Sequence, residues 1–420
     1  MRHLAPISLL LAGQLAFAAP LPAAEPAAAA EAPGAEATAA QAIAAGTAAF
    51  PACVADLMVR AEKKGISKAV IDSDLANVKF LPKVIELDRQ QPEFVDSFAN
   101  YFSRRLTDAR IARGRELYAQ HRDMLDGVAK QYGVPAQYLL AFWGLETNYG
   151  GFFGNTPVLD SLATLGCDTR RSRYFTDELI NALRIIDEGS VTAARMQGSW
   201  AGAMGHVQFM PTTFLRYAVD HDGDGRRDLW GSLPDAMASA ANFLRSLGWE
   251  DEARWGDEVL LPEGFPYEKA GLDEKHPLKK WKKLGVTLAD GSALPASKTD
   301  ASLLVPTGHA GPALLVQKNF RVIMRWNRSQ AYALAVGHLA DRIAGGGPLT
   351  RAPVDAPRLS REQIIALQDR LNELGFHAGK ADGVLGSGTR GAIARWQKSQ
   401  GLVADGFHAP AVLEKLGEPR

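Results

Sequence analysis

The sequence predicts a mainly α-helical fold of the α+β class: a helical domain with a small inserted antiparallel β subdomain, followed by a small C-terminal three-helix module. Three observations predict it. Apolar residues recur at helical spacing from about residue 50 to 253, and again from Asn327 to Ile343. Between about residues 258 and 325, short apolar runs are separated by Gly and Pro, which is typical of strands. Because the later helix must pack on the earlier ones, the strands form an insert.

The charge balance excludes some classes of partner. The 420 residues contain 47 Lys and Arg and 47 Asp and Glu, so the formal net charge is zero. No long-range field therefore attracts nucleic acid or anionic lipid. We expect no nucleic-acid partner, and any binding site must be argued from local residues.

The N-terminus, residues 1–18, is typical of a signal peptide. Arg2 and His3 precede an apolar run that ends at Phe17 and is followed by Ala18, a small residue suited to cleavage. A disordered Ala-rich tail is the alternative. The run is too short to cross a bilayer, and we expect no transmembrane segment and a periplasmic location. Residues 19–48 are almost all Ala, Pro, Glu, Gly and Thr, and we expect a disordered leader.

The rest of the chain divides into a main domain at 49–344, with the β insert at about 258–325, a linker at 345–359 and the module at 360–416. Cys53 and Cys167 are the two cysteines. In an oxidising compartment they could pair, but two buried free thiols fit the sequence equally well. The pairing stays open at this point.

A carboxylic acid stands near the end of the most informative predicted helix, from Pro135 to Asn148. Phe142 and Trp143 lie four and three residues before Glu146, on the same helical face. A carboxyl group there is partly desolvated and favours its protonated form, which a general acid requires. From the helix alone, a surface Glu at the end of a buried helix is an equally good interpretation.

A Gly-rich segment follows at residues 198–214, where small residues alternate with bulky apolar ones and Gln208. Glycines let the backbone approach a ligand closely, and an amide can hydrogen-bond a neutral sugar. The spacing is not that of a phosphate-binding loop, which excludes a nucleotide. His206 is interpreted as a wall residue. The sequence contains neither a His-Glu-x-x-His motif nor two cysteines at the close spacing of a zinc site. We therefore expect no cofactor for catalysis.

An acidic loop has the spacing of a calcium site. Its acidic residues occupy positions one, three, five and nine: Asp220, Asp222, Asp224 and Asp228. Gly225 takes the sharp turn at position six, and Arg226 could offer its backbone carbonyl at seven. The usual glutamate at position twelve is replaced by Gly231. The loop predicts a structural Ca²⁺, and a solvated acidic turn that caps the next helix is the alternative.

The C-terminal module begins with apolar residues at helical spacing from Ile364 and a stop at Gly375. A tight turn at Asp382 and a second helix that carries Trp396 follow, with Thr389 as the expected N-cap. A structural helical cap is the alternative to a binding module.

Taken together, the helix of Glu146 and the Gly-rich segment resemble the lytic murein transglycosylase B family over about residues 50 to 344. The segment 360–416 resembles the peptidoglycan-binding domain found on cell-wall enzymes. Further motifs occur in the same order, at residues 162–166, 170–175, 228–230 and 326–332. The resemblance implies a lysozyme-like fold with Glu146 as the catalytic residue.

The resemblance also implies the site residues. In the cleft it places Ser199, Gln208, Asn327, Tyr332, Tyr101 and Tyr174. It further implies that Asp235 completes the metal site of Asp220, Asp222, Asp224 and Arg226. Phe243 and Trp326 depart from the pattern, because Tyr often stands at both positions. The loss of each hydroxyl puts the sugar contacts there in doubt.

The resemblance implies a mechanism with one carboxyl group. Glu146 protonates the β-1,4 glycosidic oxygen between N-acetylmuramic acid and N-acetylglucosamine, then removes a proton from the 6-hydroxyl to leave a 1,6-anhydro end. Ordinary glycosidases use two carboxylates, and the motifs contain no second acidic residue placed as a nucleophile. A hydrolytic muramidase and a non-catalytic calcium-dependent glycan-binding protein are the alternatives. Peptidoglycan strands are the expected partner, and other cell-wall enzymes are candidates.

Overall fold

The computed structural model describes residues 39–90, 97–357 and 359–417. The expected signal peptide and the leader up to residue 38 lie outside the described residues. The helices in chain order are α1 Ala39–Lys63, α2 Lys68–Ser73, α3 Pro82–Gln90, α4 Phe98–Arg105, α5 Asp108–Gln120, α6 Arg122–Tyr132, α7 Ala136–Thr147, α8 Val158–Cys167, α9 Ser172–Asp187, α10 Pro211–Tyr217, α11 Leu233–Ser246, α12 Leu278–Lys283, α13 Lys318–Trp326, α14 Gln330–Ile343, α15 Arg361–Glu373, α16 Ser387–Ser399 and α17 Pro410–Leu416.

The strands form two antiparallel sheets. Their bounds are β1 Thr156–Pro157, β2 Gln197–Gly198, β3 Gly256–Leu260, β4 His276–Pro277, β5 Thr287–Leu288, β6 Asp300–Leu304 and β7 Ala313–Val316. β1 pairs with β2, while the other five form a sheet in the order β4-β6-β7-β3-β5. Helices α1 to α11, α13 and α14 surround one large hydrophobic core, and the five-stranded sheet has a second core around Trp281.

Helix α1 corrects the expected end of the leader, because residues 39–48 are helical. Alanine has the highest helix propensity, so an Ala-rich segment continues a helix readily once one face is packed. Gly46 provides that close packing: a Cβ added there would lie 2.8 Å from the ring of Phe80. The composition that suggested disorder therefore extends a helix of the domain.

By length and composition, α1 is also apolar enough to cross a membrane, which the sequence interpretation did not anticipate. Its second half is nevertheless packed into the domain. Phe50, Val54 and Leu57 are buried in the main core, and Cys53 forms a disulfide with Cys167 at the end of α8. These are the contacts of a helix in a folded domain, and the disulfide answers the question that the sequence left open.

The β insert is confirmed, but it ends earlier than expected. Its last strand ends at Val316, and α13 follows within the range assigned to the insert. Phe320 and Ile323 of α13 are buried in the main core. The helical domain therefore resumes at Lys318, because the apolar face of α13 packs into the same core as the earlier helices.

The C-terminal module consists of α15, α16 and α17 around a separate core. Ser360 forms a capping box with Gln363 at the start of α15. Thr389 is not the N-cap of α16, which starts at Ser387. Its buried hydroxyl accepts from Gln368 Nε2 at 2.9 Å, so Thr389 joins α16 to α15.

The segment expected to be a linker is attached to the sheet. Thr350 donates its N–H to Glu258 Oε2 at 2.8 Å, and Val354 donates to Thr307 Oγ1 at 3.2 Å. The module also contacts the insert: Asp405 Oδ2 accepts from the backbone N–H of His309 at 2.8 Å and lies 2.6 Å from its Nδ1. The connecting segment and the module are thus each in contact with the insert.

Candidate active site

Helix α7 delivers a half-buried carboxyl group to the meeting point of three helices. Oε1 of Glu146 accepts a hydrogen bond from the Tyr332 hydroxyl at 2.5 Å and from Trp326 Nε1 at 2.9 Å. Trp326 ends α13 and Tyr332 lies in the first turn of α14, so the short connection between these helices brings both donors to one oxygen.

An aromatic wall surrounds this carboxyl group. The Trp326 ring lies 4.5 Å from Phe142, 5.4 Å from Phe209 and 5.2 Å from Phe243, measured between centroids. Burial and the neighbouring Glu146 raise the pKa of Tyr332 well above its usual value, so its hydroxyl remains a donor. The two departures noted in the sequence, Phe243 and Trp326, pack against each other in this wall.

The end of α7 is fixed by an unusual backbone. Asn148 and Tyr149 both adopt left-handed conformations, with φ of 51° and 58°. Tyr149 tolerates this conformation because Gly144 leaves space for its ring, and its hydroxyl donates to Arg110 O at 2.9 Å. Thr147 donates to the backbone oxygen of His206 at 2.9 Å. These contacts hold the turn that carries Glu146.

The Gly-rich segment forms the neighbouring loop, but two of its predicted substrate-binding side chains also serve the loop itself. Gln208 has a φ of 50°, and its Nε2 donates to Phe153 O at 3.1 Å and Gly205 O at 3.0 Å. Ser199 Oγ accepts from the N–H of Ala203 at 3.0 Å. No described residue donates to the oxygen of the Gln208 amide, so this oxygen remains an acceptor.

The tyrosines predicted in the cleft differ in their placement. Tyr332 is buried, and its hydroxyl donates to Glu146, a contact that orients the carboxyl group. Tyr101 lies close enough to Tyr332 to act on its ionisation, and Arg105 covers the Tyr101 ring at 5.3 Å. Tyr174 is 39% exposed on α9, where it pairs with Glu178. Asn327 is exposed and accepts from Ser329 N at 3.0 Å.

Two contacts of this site have no signal in the sequence. The hydrogen bond from Trp326 spans 180 positions, and the sequence interpretation considered only the lost hydroxyl there. Trp143 Nε1 donates to His206 Nδ1 at 2.8 Å. Burial lowers the pKa of His206 to about 4, so the ring is neutral and its Nδ1 can accept from Trp143.

The acidic loop brings three carboxylates together: oxygens of Asp220, Asp222 and Asp235 all lie within 4.8 Å of one another. Asp235 is buried and also accepts from the N–H of His221 at 2.7 Å. Asp224 is not in this group, and its Oδ1 accepts from the N–H of Arg226 at 2.8 Å. Three adjacent carboxylates repel one another unless a cation neutralises them, and their hard oxygens fit Ca²⁺.

Comparison with known protein families assigns both parts of the chain to families. The transglycosylase SLT domain family matches residues 49–341, and the peptidoglycan binding domain family matches residues 360–416. The chain belongs to the SLT-domain transglycosylase family. The expected lysozyme-like helical domain, with its small antiparallel insert and three-helix module, is confirmed.

Individual relatives agree with this class. The chain is similar to SltB3 from Pseudomonas aeruginosa, solved in complex with NAG-anhNAM-pentapeptide: 45% identity over 87% of this chain and 99% of that chain, with a TM-score of 0.84. It is 31% identical over 308 residues to membrane-bound lytic murein transglycosylase B from Escherichia coli (strain K12), 67% of this chain and 80% of that protein. The chain is also similar to the Escherichia coli lytic transglycosylase Slt35, solved in complex with calcium. That match covers 70% of this chain and 92% of that chain, at 30% identity and a TM-score of 0.60.

Proposed function

We propose that the chain is a lytic transglycosylase that cleaves the β-1,4 bond between N-acetylmuramic acid and N-acetylglucosamine in peptidoglycan and leaves 1,6-anhydromuramic acid ends. The observation that carries this proposal is the carboxyl group of Glu146, fixed by two donors in an aromatic wall. The similarity to a protein solved with an anhydro-sugar ligand supports it.

The proposed reaction uses Glu146 twice. Its carboxylic acid gives a proton to the glycosidic oxygen, the bond to the anomeric carbon of the muramic acid breaks, and N-acetylglucosamine leaves with a free hydroxyl. The N-acetyl group of the muramic acid stabilises the positive sugar. The carboxylate then takes the proton of the 6-hydroxyl, whose oxygen bonds to the anomeric carbon. Glu146 ends protonated, and no water is consumed.

Other groups would bind the glycan. We propose that the Gln208 amide oxygen, Ser199 and Asn327 line the sugar-binding cleft, with Tyr101 and Tyr174 further along it. Remote contacts of this kind supply the binding energy that orients the bond over Glu146. Peptidoglycan strands are therefore the proposed partner, and an assembly with other cell-wall enzymes is a further proposal from the sequence.

Glu146→Gln tests the catalytic assignment. The amide keeps the shape of the side chain but cannot give up and take back the proton, so we expect cleavage of purified sacculi to fall at least ~100-fold. Glu116→Gln on α5, a surface residue paired with Arg113, is the matched control and should keep full activity. Undiminished turnover by the Glu146 variant would reject the assignment, and no turnover by the unsubstituted enzyme would favour a binding protein.

We also propose a structural Ca²⁺ held by Asp220, Asp222 and Asp235, with the backbone carbonyl of Arg226 as a further ligand. The convergence of three carboxylates supports it, as does the similarity to a protein solved with calcium. The ion would neutralise the loop and tie it to α11, which carries Asp235. Asp224 is a weaker candidate ligand, since it lies outside the cluster of three carboxylates.

The proposed location is the periplasm. The family acts on cell-wall peptidoglycan, which lies outside the cytoplasm. The disulfide between Cys53 and Cys167 supports an oxidising compartment.

A further inference from the structure

A polar cavity of about 300 Å³ lies between β3, the end of α14 and residues 344–349. Its residues His338 and Asp341 stand six and nine positions after Tyr332 on α14. At a rise of about 1.5 Å per residue, they lie roughly 9 and 14 Å along the helix from the residue that contacts Glu146. The cavity is thus separate from the proposed catalytic carboxyl group.

His338 is a buried histidine that lines this cavity and forms no hydrogen bond with any residue that the structure describes. It is only 8% exposed and stacks on Phe102, with centroids 5.5 Å apart. Neither ring nitrogen is hydrogen-bonded to any described residue, and the residue lines the cavity. Burial lowers the pKa of His338 to about 4, and the neutral ring offers a lone pair.

Asp341 supplies a second acceptor. Its Oδ2 accepts from Trp255 Nε1 at 2.8 Å, while no described residue donates to its Oδ1. Burial raises the pKa of Asp341 to about 6, so it is mainly a carboxylate at pH 7.5. A buried carboxylate is costly unless a cation or further donors compensate it.

The other charged groups of the cavity are already paired. Asp257 forms an ion pair with Arg254 at 2.8 Å, and Glu258 accepts from Thr350 at 2.8 Å. The groups left for a ligand are acceptors, a carboxylate oxygen and an imidazole nitrogen. A primary ammonium group carries one positive charge and three donors, which matches this set.

We propose that this cavity is a second ligand site, which binds a small molecule through a primary ammonium group held by Asp341 and His338. Because a water molecule occupies about 30 Å³ of liquid, the cavity has room for a molecule the size of an amino acid or a single amino sugar. The inference does not depend on the proposed catalytic activity.

Calorimetric titration of the full chain at pH 7.5 tests it with glucosamine and glucose, which differ by an ammonium in place of a hydroxyl. We expect glucosamine to bind at least ~10-fold more tightly than glucose, because only its ammonium group forms charge-assisted hydrogen bonds with the cavity. Asp341→Asn should weaken glucosamine binding at least ~10-fold, and Glu146→Gln should leave it unchanged.

His338→Phe is the second variant and keeps the ring that stacks on Phe102. It should also weaken binding, so the test survives if one variant fails to fold. No heat of binding with the unsubstituted chain, or equal affinity for both sugars, would overturn the proposal. Unchanged binding by a folded variant of either residue would do the same, and loss on Glu146→Gln would place the ligand in the catalytic cleft.

Discussion

Tyr332 and Trp326 donate to the same oxygen of Glu146, and this makes the two oxygens of that carboxyl group unequal. Under the proposed mechanism, these two hydrogen bonds orient the carboxyl group that transfers the proton. The loss of a tyrosine hydroxyl at position 326 is compensated, since the indole N–H is a donor. An indole cannot accept a proton, so Trp326 does not compete for the role of proton carrier that we propose for Glu146.

Trp326→Phe removes this donor and keeps an aromatic ring. Losing a hydrogen bond to a charged group costs about 1.5–3 kcal/mol, so we expect kcat to fall roughly 10- to 100-fold. KM should change little, because the ring surface remains. Trp230→Phe is the matched control, since its N–H donates to Gln197 O at 2.9 Å. An equal kcat for Trp326→Phe and the unsubstituted enzyme would refute the positioning role.

The helical face that Phe142, Trp143 and Glu146 share indicated a partly desolvated carboxyl group, and only the resemblance to the family implied that Glu146 is the catalytic residue. The sequence could not predict which oxygen the distant donors reach. The resemblance places Tyr332 in the cleft, but the motif could not report that its hydroxyl is buried and bonded to Glu146. The left-handed conformation of Gln208 likewise depends on the surrounding loop.

Among the elements, helices with strong periodicity were predicted to within a few residues, as α7 and α14 show. The errors lie where packing decides. Residues 39–48 are helical because α1 continues over Phe80, and α13 belongs to the main core although it follows directly after the strands. The disulfide joins α1 to α8 across 114 positions, a pairing that two cysteines alone could not establish.

The acidic loop before α11 gives a prediction for metal removal. A ligand that binds only the folded state stabilises it by about 2.7 kcal/mol at a hundredfold excess over its Kd. We expect a chelator to lower the melting temperature and Ca²⁺ to restore it. Asp222→Asn should abolish this response, whereas Asp123→Asn on α6 should keep it. A melting temperature that ignores both chelator and Ca²⁺ would count against the site.

Across the whole molecule, the module is joined to the rest by contacts as well as by the chain. Asp405 contacts His309 of the insert, and Thr350 and Val354 fix the connecting segment to the sheet. The sequence predicted the module and its boundaries well, because it has its own core. It could not predict the contact with His309, which joins two domains distant in sequence.

Deletion of residues 358–420 removes the module and keeps the attached segment. Because tethering raises the local concentration of enzyme on an insoluble polymer, we expect sacculus binding to weaken by at least ~100-fold. Cleavage of short soluble glycans should stay nearly unchanged. His309→Ala, which retains the module, is the control and should keep most sacculus binding. Equal losses on both substrates would contradict a tethering role.

The most direct measurement is the mass of the sugar ends released from purified sacculi in water enriched in heavy oxygen. If Glu146 acts as acid and then base, the muramic acid ends are anhydro sugars, one water lighter than hydrolysed ends and free of the heavy isotope. Labelled, hydrolysed ends formed at the rate of cleavage would contradict this mechanism and identify a hydrolytic muramidase.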